Sequence, residues 1–288
     1  MEIEFGRLVL SFIVGYFLCL SGSLSQLVTN NPLGSPSTLG MDGLAVFFVL
    51  FTQSILIFFD LDYPLSIISF IFFSIGFIPF IFMKREKKKS IWTSANLKHI
   101  ILMGIAFNLF IGAIFSIMQF LFMAYNFEFP TELWFGNFKI YKNYELPILL
   151  MILIPIFLYL FKNAEKLNIL NLGHSFARGQ NVDVEKIQRV LLLISLYVTG
   201  VIICFYGVFS FLGLIFPHIL RDFKAFRFNM KNEVLYGPFF AGLLMSILDQ
   251  IVYYFPVNGA ELPVGMISSV LGAIFLIFLL FKSRLRVV

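Results

Sequence analysis

Charge is scarce in this 288-residue chain. Asp, Glu, Lys and Arg make up 13% of it, against about 25% in a soluble domain. That shortage excludes an ordinary water-soluble domain, which has a polar surface to cover. Histidine is rarer still. His99, His174 and His218 lie far apart and give no metal-ligand spacing. The two cysteines, Cys19 and Cys204, both sit inside apolar runs, so no disulfide is expected. Neither a GxxxxGK(S/T) loop nor HExxH occurs. The chain therefore has no ATP-binding P-loop and lacks the common zinc-protease site. The first apolar stretch is led by Glu2 and Glu4 rather than by basic residues, so no cleavable signal peptide is expected. No metal and no cofactor is expected.

What remains is apolar: 59% of residues are hydrophobic and 39 are Phe. Such a composition suits a lipid-facing surface. The fold class expected is an all-α, polytopic transmembrane helix bundle. A spanning helix needs roughly 20 apolar residues. Nine segments are read as helices: 8–27, 44–59, 63–83, 97–125, 145–162, 190–206, 208–220, 234–255 and 264–281. The seventh is short, and Gly207 is read as the break before it. Nine spans leave only Arg7, Lys139 and Lys142 of the 21 Lys and Arg outside. By the positive-inside rule the N-terminus is then outside and the C-terminus inside. The net charge of +5 reflects this loop asymmetry and not nucleic-acid binding. The chain is read as one transmembrane domain, 1–288, containing a polar cytoplasmic segment at 163–189. That segment mixes both charge signs with short apolar stretches, as short amphipathic helices do. It would dock a soluble partner or lie in the lipid interface.

Gly15 and Gly22, Gly200 and Gly207, and Gly265 and Gly272 are each seven apart, which puts each pair on one helix face. Asp249 lies within an apolar segment, where a carboxylate must face the protein interior. It is read as a hydrogen-bonded packing residue, with an ion or substrate pathway as the alternative. Asp60 and Asp62 are read as a solvated turn.

Five stretches carry a resemblance: 20–26 (LSGSLSQ) with 31–36 (NPLGSP) and Leu39–Gly40; 104–108 (GIAFN); 167–173 (LNILNLG) with Ala177 and Arg178; 211–221 (FLGLIFPHILR); and 261–265 (ELPVG). In that order they resemble the permease subunits of ABC importers for iron–siderophore complexes, haem and cobalamin. The resemblance runs from about residue 7 to 282 and begins where the family's second helix begins. It would leave nine helices where the family has ten. It implies a homodimeric permease in a bacterial plasma membrane, working with two soluble ATPase subunits and an extracytoplasmic binding protein. It implies cytoplasmic gate residues Asn31, Pro32, Leu33, Thr93 and Ser94, and pathway residues Gly104, Asn108 and Gly112. It also implies ATPase coupling through Leu172, Gly173, Ala177 and Arg178, and binding-protein docking through Arg7. Glu4 stands where a second docking arginine is usual, and His174 where the coupling segment usually has an acid. No covalent chemistry is expected. A degenerate subunit that no longer transports is one alternative, and a membrane-embedded enzyme is another.

Overall fold

The computed structural model describes residues 2–82, 94–125, 135–138, 142, 144–180, 183–223, 226, 229–256 and 261–284. Among these, every regular element is helical. In chain order they are α1 (Glu2–Thr29), a 3-10 turn (Ser37–Leu39), α2 (Met41–Phe58), α3 (Leu65–Phe82), α4 (Ser94–Ala124), α5 (Glu145–Lys162), α6 (Ala164–Asn171), α7 (His174–Gly179), α8 (Val184–Tyr206), α9 (Leu212–Asp222), α10 (Met230–Leu235), α11 (Gly237–Tyr254) and α12 (Val264–Arg284). All nine apolar segments expected from the sequence fold as helices among the described residues. Six stretches are long and apolar enough to cross a membrane: Phe5–Thr29, Met41–Phe58, Leu102–Ala124, Glu145–Lys162, Val184–Tyr206 and Met230–Tyr254.

Helix α1 is the centre of the bundle. Its apolar window is 78% buried, against 11% for that of α4. Lipid tails are as apolar as Leu, so helices associate through close packing and interhelical hydrogen bonds. The residues of α1 supply both. Towards α11, an added Cβ on Gly15 would come within 2.4 Å of the Met245 Cβ. Beside it the Tyr16 hydroxyl donates to the Leu235 carbonyl at 3.1 Å. Towards α8, the Ser195 hydroxyl donates to the Ser21 carbonyl at 2.6 Å and Thr199 to the Ser21 hydroxyl at 3.0 Å. Towards α9, Gly22 lies against the backbone of Gly213. The Gly15–Gly22 spacing therefore serves two neighbours on one face of α1.

Helix α9 is shorter than the expected segment and starts later, at Leu212. Its 11 residues reach about 16 Å at 1.5 Å per residue, roughly half of a 30 Å hydrocarbon layer. Gly207, at φ +81°, ends α8, so it acts as a helix terminator and not as a packing partner of Gly200. Phe211, at φ +65°, opens α9. The non-helical backbone between them is stitched to a second irregular piece. Gly136 N–H donates to the Val208 carbonyl at 2.8 Å, Asn137 N–H to Tyr206 at 3.0 Å, and Gly265 N–H to Gly136 at 2.7 Å. Irregular backbone is tolerated in a bilayer only when buried in protein, and Gly136, Phe138, Val208 and Phe209 are buried.

The bundle has a basic end, where α1 finishes and α6, α7 and α10 lie, and an opposite end, where α1 begins.

Candidate functional site

At the basic end a turn is held together by short polar side chains. Asn30 ends α1 at φ +47°, a left-handed conformation that Asn tolerates better than most residues. The Asn31 side-chain oxygen accepts from Leu33 N–H at 3.0 Å, which makes an Asx turn and orients Pro32. Ser35 and Thr38 then cap each other: Ser35 N–H donates to Thr38 Oγ1 at 2.9 Å, and Thr38 N–H to Ser35 Oγ at 3.2 Å. Gly40, at φ +90°, passes the chain into α2.

Helix α4 holds this turn from the side. The Asn108 amide donates to the Ser37 carbonyl at 2.7 Å and its oxygen accepts from Gly43 N–H at 2.8 Å. One helical turn away, Gly104 lets α4 touch Leu39 and Gly40, since an added Cβ would lie 2.5 Å from the Leu39 carbonyl carbon. Gly104 and Asn108 thus face the turn and α2. Gly112 continues the same stripe and is half-buried. Ser94 opens α4, and Thr93 lies outside the described residues. Asn108→Leu leaves the Gly43 N–H without its acceptor, while the Ser37 carbonyl keeps its bond from the Gly40 N–H. It is expected to cost about 1–3 kcal/mol for the one donor left unpaired, read as lowered thermal stability in detergent.

The polar segment following α5 folds as α6 and α7, joined at Gly173. There φ is +110° and ψ 152°, a region open essentially to Gly alone. Leu172 projects outward at 67% exposure, and Arg178 is exposed and pairs with Glu185 at 3.6 Å. Ala177 is fully buried, so it packs α7 down and presents nothing itself. A cleft of about 370 Å³ brings the two regions together, with Asn30, Asn31 and Pro32 on one wall and Leu170, Asn171 and Gly173 on the other.

Charged and amide groups lining this cleft were not picked out as a site by sequence reasoning. Arg221 of α9 donates through Nε and Nη2 to both oxygens of Glu233, at 2.9 and 2.6 Å, and through Nη1 to the Gln26 side-chain oxygen at 2.5 Å. Glu233 is 3% and Gln26 4% exposed. The residues are 12 and 195 positions apart in sequence. The available signal was that an Arg closing an apolar helix needs a nearby carboxylate, and Glu233 opens the next helix.

Arg7 lies at the opposite end and is 7% exposed. Its guanidinium donates to both oxygens of Asp249 at 2.9 Å and to Glu261 at 2.8 Å, and it stacks over Tyr253 at 4.9 Å. Expected as a docking residue, Arg7 has its three nitrogens engaged by carboxylates of its own chain. Asp249 is the hydrogen-bonded packing residue expected. His218 donates through Nδ1 to the Leu214 carbonyl at 3.0 Å and packs on Phe275. No cluster of metal-ligating side chains occurs among the described residues.

A bundle of long apolar helices centred on a buried first helix, with a built turn and short helices at one end, is the fold of a multi-pass membrane protein. A solved inward-facing metal-chelate type ABC transporter superposes on it with a TM-score of 0.76, covering 96% of this chain and 85% of that one at 20% identity. The chain belongs to the FecCD transport family, whose pattern matches residues 1–282. It is 30% identical over 301 residues to the iron(3+)-hydroxamate import permease FhuG of Bacillus subtilis, covering 98% of this chain and 83% of that protein. To the vitamin B12 import permease BtuC of Vibrio vulnificus it is 26% identical over 296 residues, covering 99% and 83%.

Proposed function

We propose that this chain is the permease subunit of an ABC importer that moves an iron chelate or cobalamin into the cytoplasm across a bacterial plasma membrane. Family membership over residues 1–282 is the observation that carries this reading. The subunit binds and releases cargo and performs no covalent step. ATP hydrolysis takes place in soluble partner subunits, and a binding protein delivers cargo at the opposite end. The Lys and Arg distribution supports a cytoplasmic basic end. A second copy facing α4 completes a central pathway, a reading supported by the low burial of that helix in one copy.

In this reading Asn31, Pro32 and Leu33, with Thr93 and Ser94, form the cytoplasmic gate. Gly104 and Asn108 act by holding that gate turn, and Gly112 continues their stripe toward the pathway. Leu172, Gly173 and Arg178 present the contact surface for the ATPase, with Ala177 fixing its base. Cargo moves because ATP binding and hydrolysis favour different access states of the permease.

The test is purification of the tagged chain from native membranes. An ATPase of the ABC type is expected to co-purify. Leu172→Glu, which removes an exposed apolar contact, is expected to weaken that association roughly tenfold or more, since burying one Leu contributes about 1.5–3 kcal/mol. A chain that captures no ATPase, or a Leu172→Glu variant that captures it equally well, counts against this arrangement.

A further inference from the structure

We propose that Gln26, Arg221 and Glu233 form the mechanical link between the ATPase-contacting segment and the gate turn. The proposal rests on the importer reading above and names positioning residues for it.

The link can be followed atom by atom. Asn168 lies in α6, and its side-chain oxygen accepts from Lys231 N–H in α10 at 2.8 Å. Two residues on, Glu233 takes the fork of Arg221 in α9. The third guanidinium nitrogen of Arg221 holds Gln26 in α1. The Gln26 carbonyl in turn accepts from Asn31 N–H at 3.3 Å, and Asn31 is the first residue of the gate turn. Four separate chain segments thereby meet within one cleft, whose lining includes Gln26, Asn31, Gly173, Arg221 and Glu233.

Stability alone is a poor reason for this construction. Glu233 is buried and Arg221 only partly so. An ion pair desolvated in this way and replaced by well-packed apolar residues is often neutral or stabilising, and the neighbouring Leu220, Met230 and Val234 show that apolar packing is available here. What the guanidinium fork adds is a fixed direction, since a planar group held at three nitrogens transmits rotation as well as translation. Helix α10 suits the part of a lever. It is six residues long and is separated from α11 at Tyr236. It is bonded to α6 at one end and to α9 through Glu233. A displacement of α6 therefore reaches the end of α1 through polar contacts that can be cut singly.

Gln26 is the place to cut. Gln26→Met keeps the size of the side chain and leaves the Arg221–Glu233 pair intact, so the fold is retained. The Gln26 amide also donates to the Leu214 carbonyl at 3.5 Å. Gln26→Glu loses that contact as Gln26→Met does but keeps an acceptor for Arg221, giving one Arg with two carboxylates, an arrangement the chain already uses at Arg7. The experiment reconstitutes the full permease–ATPase complex in proteoliposomes with a binding protein. It measures ATP hydrolysis beside uptake of three probes: ferric hydroxamate, haem and cyanocobalamin. For Gln26→Met, cargo moved per ATP is expected to fall roughly tenfold or more, with hydrolysis and bound ATPase within about twofold of wild type. Gln26→Glu is expected to restore the ratio to within about twofold. An unchanged ratio in Gln26→Met overturns the link. So does loss of the ATPase from that complex, which would make Gln26 a docking or folding residue. A wild-type complex that moves none of the three probes removes the importer reading and the link with it. A working wild type with an unaltered Gln26→Met variant removes only the link.

Discussion

Arg7→Met is expected to destabilise the protein by about 3–5 kcal/mol, the cost of breaking a buried ion pair from one side. The reason lies in what it leaves behind. Asp249 is fully buried in α11 and loses both of its hydrogen bonds to Arg7. Glu261 loses the same cation but is 24% exposed, so water can partly replace it. The double variant Arg7→Met with Asp249→Asn removes the charge along with its partner. It is expected to recover most of the loss, because a buried pair contributes little net stability over neutral packing. Thermal unfolding of wild type, both single variants and the double variant in detergent gives the coupling directly. Equal stability of Arg7→Met and wild type would show that the contact does not hold α1 to α11. The double variant also separates two roles of Arg7. With the fold restored, unchanged affinity for the binding protein assigns Arg7 to the fold alone, whereas weakened affinity assigns it to docking as well.

Gly22→Val is expected to prevent assembly of the bundle. An added Cβ would lie 1.7 Å from the Gly213 carbonyl oxygen and 2.5 Å from its carbon. These are backbone atoms of another helix, and no rotamer change moves them. The cost therefore exceeds the roughly 1–3 kcal/mol of ordinary overpacking, and α1 must separate from α9 along the seam that sets Gln26 beside Arg221. The expected result is failure to recover monodisperse protein by size-exclusion chromatography. Gly179→Ala is the control. A Cβ there meets nothing within 4 Å, and the residue ends α7 without a positive φ. It is expected to be neutral or to stabilise by about 0.4–1 kcal/mol. Recovery of Gly22→Val as well as that of Gly179→Ala would contradict the packing described.

These two cases also show where the sequence was readable. Apolar runs identify themselves, and each of the nine read from residues 8–281 contains a helix among the described residues, six of the helical stretches being long enough to cross a bilayer. Gly207 was visible as a break, because the apolar run 190–220 is too long for one span and Gly207 lies within it. The start of α9 at Leu212 was not visible. Hydropathy does not distinguish helix from the non-helical 207–211 stretch, where the Val208 carbonyl accepts from Gly136 N–H. Asp249 stood out as a carboxylate that must face the protein interior, whereas Arg7 was read as a binding-protein docking residue and not as its partner. Their separation of 242 residues is a tertiary fact that no local pattern carries. The same holds for Gln26 and Arg221. Both lay in recognisable stretches, yet their meeting depends on Gly22 and Gly213 bringing α1 against α9. Gly104 and Asn108 were legible as special, since small and polar residues avoid lipid. That they clasp the 37–43 segment became legible only with the fold.

The central claim is that this subunit carries a metal chelate or cobalamin inward. The most direct measurement is uptake of radiolabelled ferric hydroxamate, haem and cyanocobalamin by cells with and without the gene. Uptake of one of the three is expected to disappear on deletion and to return with the wild-type chain but not with Gly22→Val. Unchanged uptake of all three on deletion would contradict the account.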